Sequence, residues 1–281
     1  MGWDYGGAFE KFPMKPNAVY KYSNGSTIKV HNIFEPLPSF MKQADLIFCD
    51  PPWNMGNLQS FYTKAEVTDR IDNFKTFYSR LFECLAEISP NTCYIEIGKE
   101  YLSVFVEKLK AMYKYVHFYN STYYHRLDNK CYVVRASNKA KKPKLDDIDE
   151  EDIISWICEN EDFKCIGDLC MGRGLVGLYA YKNNKSFVGT ELNHKRLSVL
   201  VERIYNLSSE IPKEVIPDLV DDINFNRIKE LSGMTYKELS NVLDIPERTV
   251  VDWSLGKRNP PKYTLRLIHY YLSNEGIIGN K

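Results

Sequence analysis

The chain has 281 residues, 44% hydrophobic and 14% aromatic, which is enough for one α/β domain with a sizeable core and a small second module. Its 37 basic and 37 acidic residues give zero net charge, which excludes a global positive field, so nucleic-acid binding would need local patches. Seven cysteines without a Cys-x-x-Cys pair, and no apolar run long enough to span a bilayer, predict an intracellular, cytoplasmic protein with free thiols, no membrane association and no metal site.

The beginning of the chain predicts an arm and a hairpin. Residues 1–17 are rich in glycine, proline and aromatic side chains, and we expect an irregular N-terminal arm there. Residues 18–30 contain two short β-prone runs on either side of a Ser-Asn-Gly turn, the pattern of a β-hairpin. The main domain is therefore expected to begin at residue 18.

A short apolar run, residues 44–49, predicts a buried parallel strand that ends at Asp50. Open α/β sheets bind ligands at the carboxyl ends of their strands, so Asp50 is expected at a binding edge. Pro51 and Pro52 force a stiff extended turn whose carbonyl groups are available to accept hydrogen bonds. Trp53 adds a flat aromatic face. Together these groups suit an exocyclic amine on a flat base; the alternative is a strand end punctuated by prolines.

The middle of the chain predicts alternating helices and strands. Residues 54–64 have no clear period, and we expect a loop at the rim of the sheet that acts as a lid or contacts the substrate. Apolar spacing predicts helices at 66–89 and 101–112 and strands at 92–97, 115–124 and 131–136, the last two as a hairpin. Residues 139–152 are lysine-rich and then acidic, which predicts a solvated linker leading into a helix.

A second motif follows the acidic stretch. A strand that ends at Asp168 is followed by a turn with Gly172 and Gly174, then by a helix, and then by a strand that ends at Glu191. In such a βαβ unit the glycines let a ligand approach the backbone, and the second acid suits two ribose hydroxyls. Gly177 completes a Gly-x-Gly-x-x-Gly pattern, and this pattern alone would also allow a nicotinamide cofactor. Asp168 opposes it, because an acid there repels a pyrophosphate but attracts the ammonium of a methionine-type cofactor.

Asp-Pro-Pro-Trp followed by Asp-x-x-x-Gly-x-Gly resembles the S-adenosylmethionine-dependent amino-methyltransferases of nucleic acids. The order of the two motifs is similar to that of the permuted beta group, which includes many bacterial and phage DNA methyltransferases. The resemblance covers residues 18–207. It implies an α/β, Rossmann-like methyltransferase domain at residues 18–210, with a mostly parallel, seven-stranded sheet and S-adenosylmethionine as cofactor.

The resemblance also implies roles for individual residues. The flipped target base would be held by Asp50, Pro51, Pro52 and Trp53. The cofactor would contact Asn32, Asp50, Asp168, Cys170, Gly172, Gly174 and Glu191. Of these, Asp168 and the two glycines would line the methionine end and Glu191 the ribose. Asn32 stands where the family often has an acid that touches the adenine of the cofactor.

The C-terminal residues predict a second, all-α module. Residues 211–222 read as a linker, and residues 223–275 as four short helices, the second and third joined by a tight turn. The segment 234–267 resembles the helix-turn-helix domains of phage repressors, in which the third helix enters the major groove. The resemblance places Arg248, Thr249 and Asp252 against bases and Lys257 and Arg258 against phosphates. The alternative is a small helical dimerisation module.

These motifs predict a site-specific DNA adenine-N6 methyltransferase with a fused helix-turn-helix domain for DNA recognition or autoregulation. Asp rather than Ser at position 50 favours adenine N6, and the absence of a Pro-Cys pair excludes cytosine C5 chemistry. An RNA adenosine N6 enzyme, a DNA cytosine N4 enzyme and a non-enzymatic, S-adenosylmethionine-sensing regulator stay open. Expected partners are double-stranded DNA, a second copy of the chain and a cognate restriction endonuclease.

Overall fold

A computed structural model of the chain describes residues 5–16, 18–215, 225–275, 277 and 278. Residues 1–4 of the predicted arm and residues 216–222 of the predicted linker lie outside the described residues. The chain divides into two compact units, Met1–Val215 and Ile216–Lys281. Within the described part, no helix is long and apolar enough to cross a membrane.

The described part of the first unit contains one ten-stranded sheet and seven α-helices. Its strands are β1 (Val19–Lys21), β2 (Thr27–Val30), β3 (Leu46–Cys49), β4 (Thr92–Ile97), β5 (Tyr115–Tyr123), β6 (Arg126–Ser137), β7 (Ile148–Asp149), β8 (Cys165–Asp168), β9 (Ser186–Glu191) and β10 (Lys213–Val215). Its helices are α1 (Ala8–Lys11), α2 (Met55–Lys64), α3 (Phe74–Ile88), α4 (Leu102–Met112), α5 (Glu150–Asn160), α6 (Leu175–Lys182) and α7 (His194–Ser208). Short 3₁₀ helices occupy Ser39–Gln43 and Lys99–Tyr101.

The strand order is β10-β1-β2-β9-β8-β3-β4-β6-β5-β7. The five strands β2, β9, β8, β3 and β4 run parallel, and antiparallel pairs flank them on both sides. The prediction of an α/β fold with a large, mostly parallel sheet is confirmed, but seven strands is wrong for this chain. Strands of only two or three residues, β10, β1 and β7, extend both edges, and such short edge strands limit pairing with other chains. One of them, β10, lies within the segment predicted as linker and pairs with β1.

Two predictions, the loop at residues 54–64 and the helix at 66–89, need correction. Residues 54–64 form α2 instead of a loop, because the Asn54 side chain caps the helix by accepting a hydrogen bond from the Asn57 backbone N–H at 2.9 Å. The predicted helix at 66–89 begins only at Phe74, where Asn73 caps α3. Glu66 has a φ of 60°, which a right-handed helix does not allow.

Hydrophobic cores cover both faces of the sheet. Along β3, Phe48 faces the core formed with α5, α6 and α7, whereas Ile47 and Cys49 face the core formed with α2, α3 and α4. Side chains of a strand alternate between faces, and burial on both faces explains the uninterrupted apolar runs in the sequence. The carboxyl ends of the parallel strands are therefore the part of the sheet where polar groups gather.

The described part of the second unit contains four helices: α8 (Phe225–Ser232), α9 (Tyr236–Leu243), α10 (Glu247–Ser254) and α11 (Lys262–Asn274). Thr235 and Glu238, a Thr-x-x-Glu pattern in the sequence, form a capping box at the start of α9. Between α9 and α10, Asp244 adopts a φ of 50° and turns the chain. Trp253 packs against Phe225 at a ring-centroid distance of 5.2 Å, at the edge of a small apolar core.

Candidate active site

Four predicted site residues lie at one edge of the sheet. Asp168 ends β8, Glu191 ends β9, and Asp50 directly follows β3. The chain continues from β2 to Asn32, and the backbone N–H of His31 donates to the Glu191 carbonyl at 2.9 Å. The strands β2, β9, β8 and β3 are parallel neighbours, so their carboxyl ends meet at this edge. Motifs that are far apart in the sequence therefore form one cleft.

Asp50 is held by the aromatic residue of its own motif. The indole Nε1 of Trp53 donates to Oδ1 of Asp50 at 2.9 Å. Pro51 and Pro52 are buried, and their rings fix the backbone between Asp50 and Trp53. Asp50 itself is exposed to solvent. Desolvation by the cleft raises the pKa of Asp50 to about 6, although the Trp53 hydrogen bond and the charge of Arg196 act to lower it. With a pKa of about 6, Asp50 is mostly ionised at neutral pH.

The indole of Trp53 is packed on two sides. A Cβ added to Gly98, just beyond β4, would lie 3.0 Å from Cε3 of the indole, so any larger residue there would have to displace the ring by a few tenths of an ångström. The Trp53 ring also meets Tyr123 edge to face, with centroids 5.2 Å apart. The indole is therefore fixed at the mouth of the cleft, and its hydrogen bond in turn orients the Asp50 carboxylate.

The glycine turn closes around Glu191. The backbone N–H groups of Gly172 and Asn193 donate to its two carboxyl oxygens at 2.7 and 2.9 Å. Gly174, with a φ of 73°, begins α6, and a Cβ there would lie 2.5 Å from Cβ of Leu200. Within the same turn, Cys170 donates its backbone N–H to Asp168 at 2.9 Å. The turn thus places backbone donors and carboxylates around a concave surface.

Three carboxyl groups, those of Asp50, Asp168 and Glu191, crowd this cleft. Burial raises the pKa of Asp168 well above its ordinary range, and the charges of Asp50 and Glu191 raise it further. Burial also raises the pKa of Glu191. The guanidinium of Arg196, on α7, lies beside the glycine turn, where a Cβ added to Gly172 would be 3.0 Å from its Nη2, and its charge lowers the pKa of all three carboxyls. Sequence reasoning missed Arg196, because nothing in the helical pattern of α7 distinguishes it from other polar positions.

Two further acids lie beside Asp50 and were also missed. Glu96 on β4 has no solvent exposure, and neither of its carboxyl oxygens has a hydrogen-bond partner among the described residues when all carboxyls are ionised. Burial raises its pKa strongly, and the charges of Asp50 and Glu150 add to this. Burial likewise raises the pKa of Glu150 to about 7. A proton on Glu96 lets it donate to Glu150, so the pair shares one proton. The signal was a lone Glu within the apolar run of β4.

Asn32 follows β2, and Cys170 follows β8 in the middle of this edge. Oδ1 of Asn32 accepts a hydrogen bond from the backbone N–H of Phe34 at 3.1 Å, which makes a turn directly after β2. Cys170 is half-buried behind Asp168. Within the described residues, no group of three or more His, Cys, Asp or Glu side chains has the arrangement of a metal site.

In the second unit, the predicted DNA-contacting residues lie on or directly after α10. Arg248 is exposed and Thr249 half-exposed in its first turn. Asp252 is half-buried, and its carbonyl accepts the backbone N–H of Lys257 at 2.9 Å and of Arg258 at 3.3 Å. Both of these cations are exposed. The structure thus gathers all five at one helix and its following turn.

No protein-family model matches the chain, and no curated protein matches it. Among solved structures, M1.HpyAVI shares 16% sequence identity over 63% of this chain and 97% of its own, with a TM-score of 0.43. The putative DNA modification methylase TTHA0409 of Thermus thermophilus shares 13% over 67% and 98%, with a TM-score of 0.49. The cytosine-N4-specific PvuII DNA methyltransferase shares 13% over 69% and 95%, with a TM-score of 0.45. These identities and TM-scores are too low to indicate a function for this chain.

Proposed function

We propose that the first unit transfers a methyl group from S-adenosylmethionine to the exocyclic amine of a DNA base, and that this amine is N6 of adenine. The observation that carries the proposal is the pairing of β3 with β8 in the sheet, which sets Asp50 with its bonded Trp53 beside Asp168 and the glycine turn. An amine-binding carboxylate and a cofactor-type turn on adjacent strands suit a direct transfer between two ligands held side by side.

The residues present fit S-adenosylmethionine. Asp50, Asp168 and Glu191 crowd one cleft that Arg196 faces, and a positively charged ligand would relieve their mutual repulsion. Asp168 would hold the ammonium of the methionine end and Arg196 its carboxylate. Glu191, fixed by two backbone donors, keeps lone pairs to accept the ribose hydroxyls. Asn32, Cys170, Gly172 and Gly174 would complete the walls.

When bound, S-adenosylmethionine supplies an electrophilic methyl group on a sulfonium. Asp50 and a carbonyl of the Asp50–Pro52 turn accept the two amine hydrogens, which orients the nitrogen lone pair towards the cofactor side of the cleft. Methylation would require the amine to lose one proton, and Asp50 would be in place to receive it. Trp53 keeps the Asp50 carboxylate in this orientation. No covalent enzyme intermediate is required.

We propose that the second unit binds DNA through α10 and the turn that follows it. Arg248, Thr249 and Asp252 would read base edges, while Lys257 and Arg258 would meet phosphates. The unit would supply recognition that the first unit lacks, or it would bind an operator and repress transcription. In a salt titration with the full chain, Lys257→Ala should reduce the salt slope of DNA binding by about one, whereas Arg248→Ala should cost selectivity between sequences.

The proposed activity is tested with labelled S-adenosylmethionine. The protein is offered unmethylated duplex DNA, single-stranded DNA and RNA, and the products are digested to nucleosides. We expect label in N6-methyladenine from duplex DNA. Asp50→Asn should abolish it, because the amide no longer accepts both the indole and the amine hydrogens. Asp162→Ala, which changes a fully exposed acid, is the matched control and should retain activity.

Each other result removes a specific part of the proposal. Label in N4-methylcytosine would replace the adenine assignment, and label only in RNA would replace the substrate class. A protein that binds the cofactor and DNA but never turns over would be a regulator that senses S-adenosylmethionine. The homodimer and the restriction endonuclease partner remain predictions, to be checked by light scattering and by co-purification.

A further inference from the structure

The tip of the β5–β6 hairpin has a conformation that its residues do not favour. Tyr124 and His125 form a two-residue turn in which both φ angles are positive, 59° and 50°. Such turns ordinarily use Asn-Gly, because a bulky side chain in the left-handed region is strained. The register also shifts at this point, so residues 127–129 bulge out of the ladder. Both irregularities, at the end of a regular hairpin, are typical of a segment that presents side chains for a function.

A buried carboxylate holds this strained turn in place. Oδ2 of Asp149 accepts the backbone N–H of His125 at 2.9 Å and the hydroxyl of Thr122 at 3.0 Å. Asp149 is only 7% exposed, and its other oxygen caps α5 by accepting the backbone N–H of Glu151 at 3.2 Å. The side-chain amide of Asn129 adds a bond to the Tyr123 carbonyl at 3.3 Å. The tip is therefore tied to the start of α5 by these hydrogen bonds.

The anchored tip exposes apolar side chains. Leu127 is 86% and Tyr124 75% exposed, the two highest values for large hydrophobic residues in the described part of the chain. Arg126 and Lys130 on the same hairpin are exposed as well, with Asp128 between them. Exposed apolar side chains beside cations suit a nucleic-acid duplex, because its phosphates are negatively charged and its stacked bases are apolar.

The tip is connected to the candidate active site by a run of aromatic rings. Trp53, which is bonded to Asp50, meets the Tyr123 ring at 5.2 Å, and Tyr123 meets the Tyr124 ring at 5.2 Å. Tyr124 is thus the outermost of three rings in a row that begins with Trp53 beside the Asp50 carboxylate. Leu127 lies in the same hairpin tip as Tyr124. The hairpin tip therefore lies close to Asp50, on the side of Trp53.

We propose that Tyr124 and Leu127 enter the base stack of a DNA duplex at the place that the target base leaves. This inference rests on the proposed function, because only a base that must reach Asp50 needs to leave the stack. Extrusion of a base loses its stacking, and an aromatic or aliphatic side chain inserted in the gap replaces part of that contact. A turn held rigid by Asp149 gives this insertion a fixed direction.

The experiment compares substrates that do and do not need extrusion. The double variant Tyr124→Ala/Leu127→Ala is assayed on duplex DNA and on the corresponding single strand. We expect kcat/KM to fall on the order of tenfold on the duplex and to stay within about twofold on the single strand. Phe118→Ala, also exposed and on β5, is the matched control and should behave like the unchanged protein on both. Equal losses on both substrates would overturn the proposal.

A binding measurement separates this inference from the proposed activity. The full chain should bind a duplex with one abasic gap more tightly than the intact duplex, because the gap accepts the tip without extrusion of a base. The double variant should lose that preference while retaining its affinity for the intact duplex within about threefold. The preference would be detectable even if no methyl transfer were found. A preference that is unchanged in the double variant would overturn the inference, whatever the activity assay shows.

Discussion

The indole Nε1 of Trp53 donates a hydrogen bond to Oδ1 of Asp50 at 2.9 Å, within a four-residue motif that contains two prolines. The ring of Trp53 therefore has a polar function besides any stacking on a base. Burial in the cleft raises the pKa of Asp50, and this hydrogen bond lowers it. The motif thus contains both the carboxylate and a group that keeps it ionised.

Trp53→Phe tests this relationship. The variant keeps an aromatic ring but loses the N–H donor, so the pKa of Asp50 should rise above about 6. More Asp50 is then protonated in mildly acidic solution. Methyl transfer should fall roughly tenfold at pH 6 and distinctly less at pH 8.5. The measurement is a pH–rate profile, with Trp156→Phe on α5 as a control. An unshifted acid limb in Trp53→Phe would show that the indole does not act on Asp50.

Arg196→Gln tests the proposed contact with the cofactor carboxylate. The variant removes a cation that acts on all three cleft carboxyls. Affinity for S-adenosylhomocysteine should fall roughly tenfold, whereas affinity for methylthioadenosine, which lacks the amino acid, should not change. Titration calorimetry measures both ligands. Glu191→Gln should weaken both, since both carry the ribose.

A control for Arg196 is available on the same helix. Arg203 lies seven residues further along α7 and donates to the Arg173 carbonyl at 3.4 Å. Arg203→Gln should bind both ligands as the unchanged protein does. If Arg196→Gln weakened both ligands equally, Arg196 would act through the shape of the cleft and not through the cofactor carboxylate.

Glu96→Gln should stabilise the protein at neutral and alkaline pH. Burial raises the folded-state pKa of Glu96 well above the ordinary 4.5, so its contribution to stability is fully present below pH 4.5 and is lost as pH rises through the folded pKa. Gln is neutral at every pH and can still donate to Glu150. The difference in Tm between variant and unchanged protein should therefore grow from about pH 4 to about pH 8. A constant difference would contradict the shared proton.

Glu161→Gln should instead destabilise the protein at neutral and alkaline pH. Burial acts to raise the pKa of Glu161, but hydrogen bonds from Tyr94 and Lys141 and the charge of Arg135 outweigh it, so the pKa is lowered. A lowered pKa contributes stability above its unfolded value that is lost as pH falls. Glu161→Gln should cost about 3 kcal/mol at pH 8, because it breaks the pair with the buried Arg135. The cost should shrink towards pH 4, as thermal unfolding would show.

Gly174→Ala should disrupt the glycine turn more than backbone strain alone explains. Its φ of 73° is unfavourable for alanine by about 1–2 kcal/mol, and the added Cβ would meet Leu200 at 2.5 Å, which adds about 1–3 kcal/mol. Gly25→Ala, with a φ of 89° and no atom within 4 Å of the added Cβ, carries strain only. Urea unfolding of the two variants gives the difference. Equal destabilisation of the two variants would mean that the Leu200 side chain moves aside at no measurable cost in stability.

The local features of this protein could be predicted from its residues alone. The apolar runs before Asp50, Asp168 and Glu191 predicted strands, and each acid stands where such a strand ends. The hairpin at the start of the sheet and the capping box at Thr235 were readable for the same reason, since turn and cap chemistry act over a few residues. The two motifs also predicted the sheet edge at which they lie.

The order of the strands, and the set of distant residues that meet at the cleft, could not be predicted in this way. Residue periodicity reports burial but not pairing order, so nothing in the sequence required β8 to lie beside β3 or three short strands to extend the sheet. Arg196 and Glu150 meet the carboxylates only because α7 and α5 pack where they do. The turn that exposes Tyr124 likewise depends on a long-range bond, from the backbone N–H of His125 to Asp149. Long-range contacts of this kind depend on the whole fold, which a local pattern does not contain.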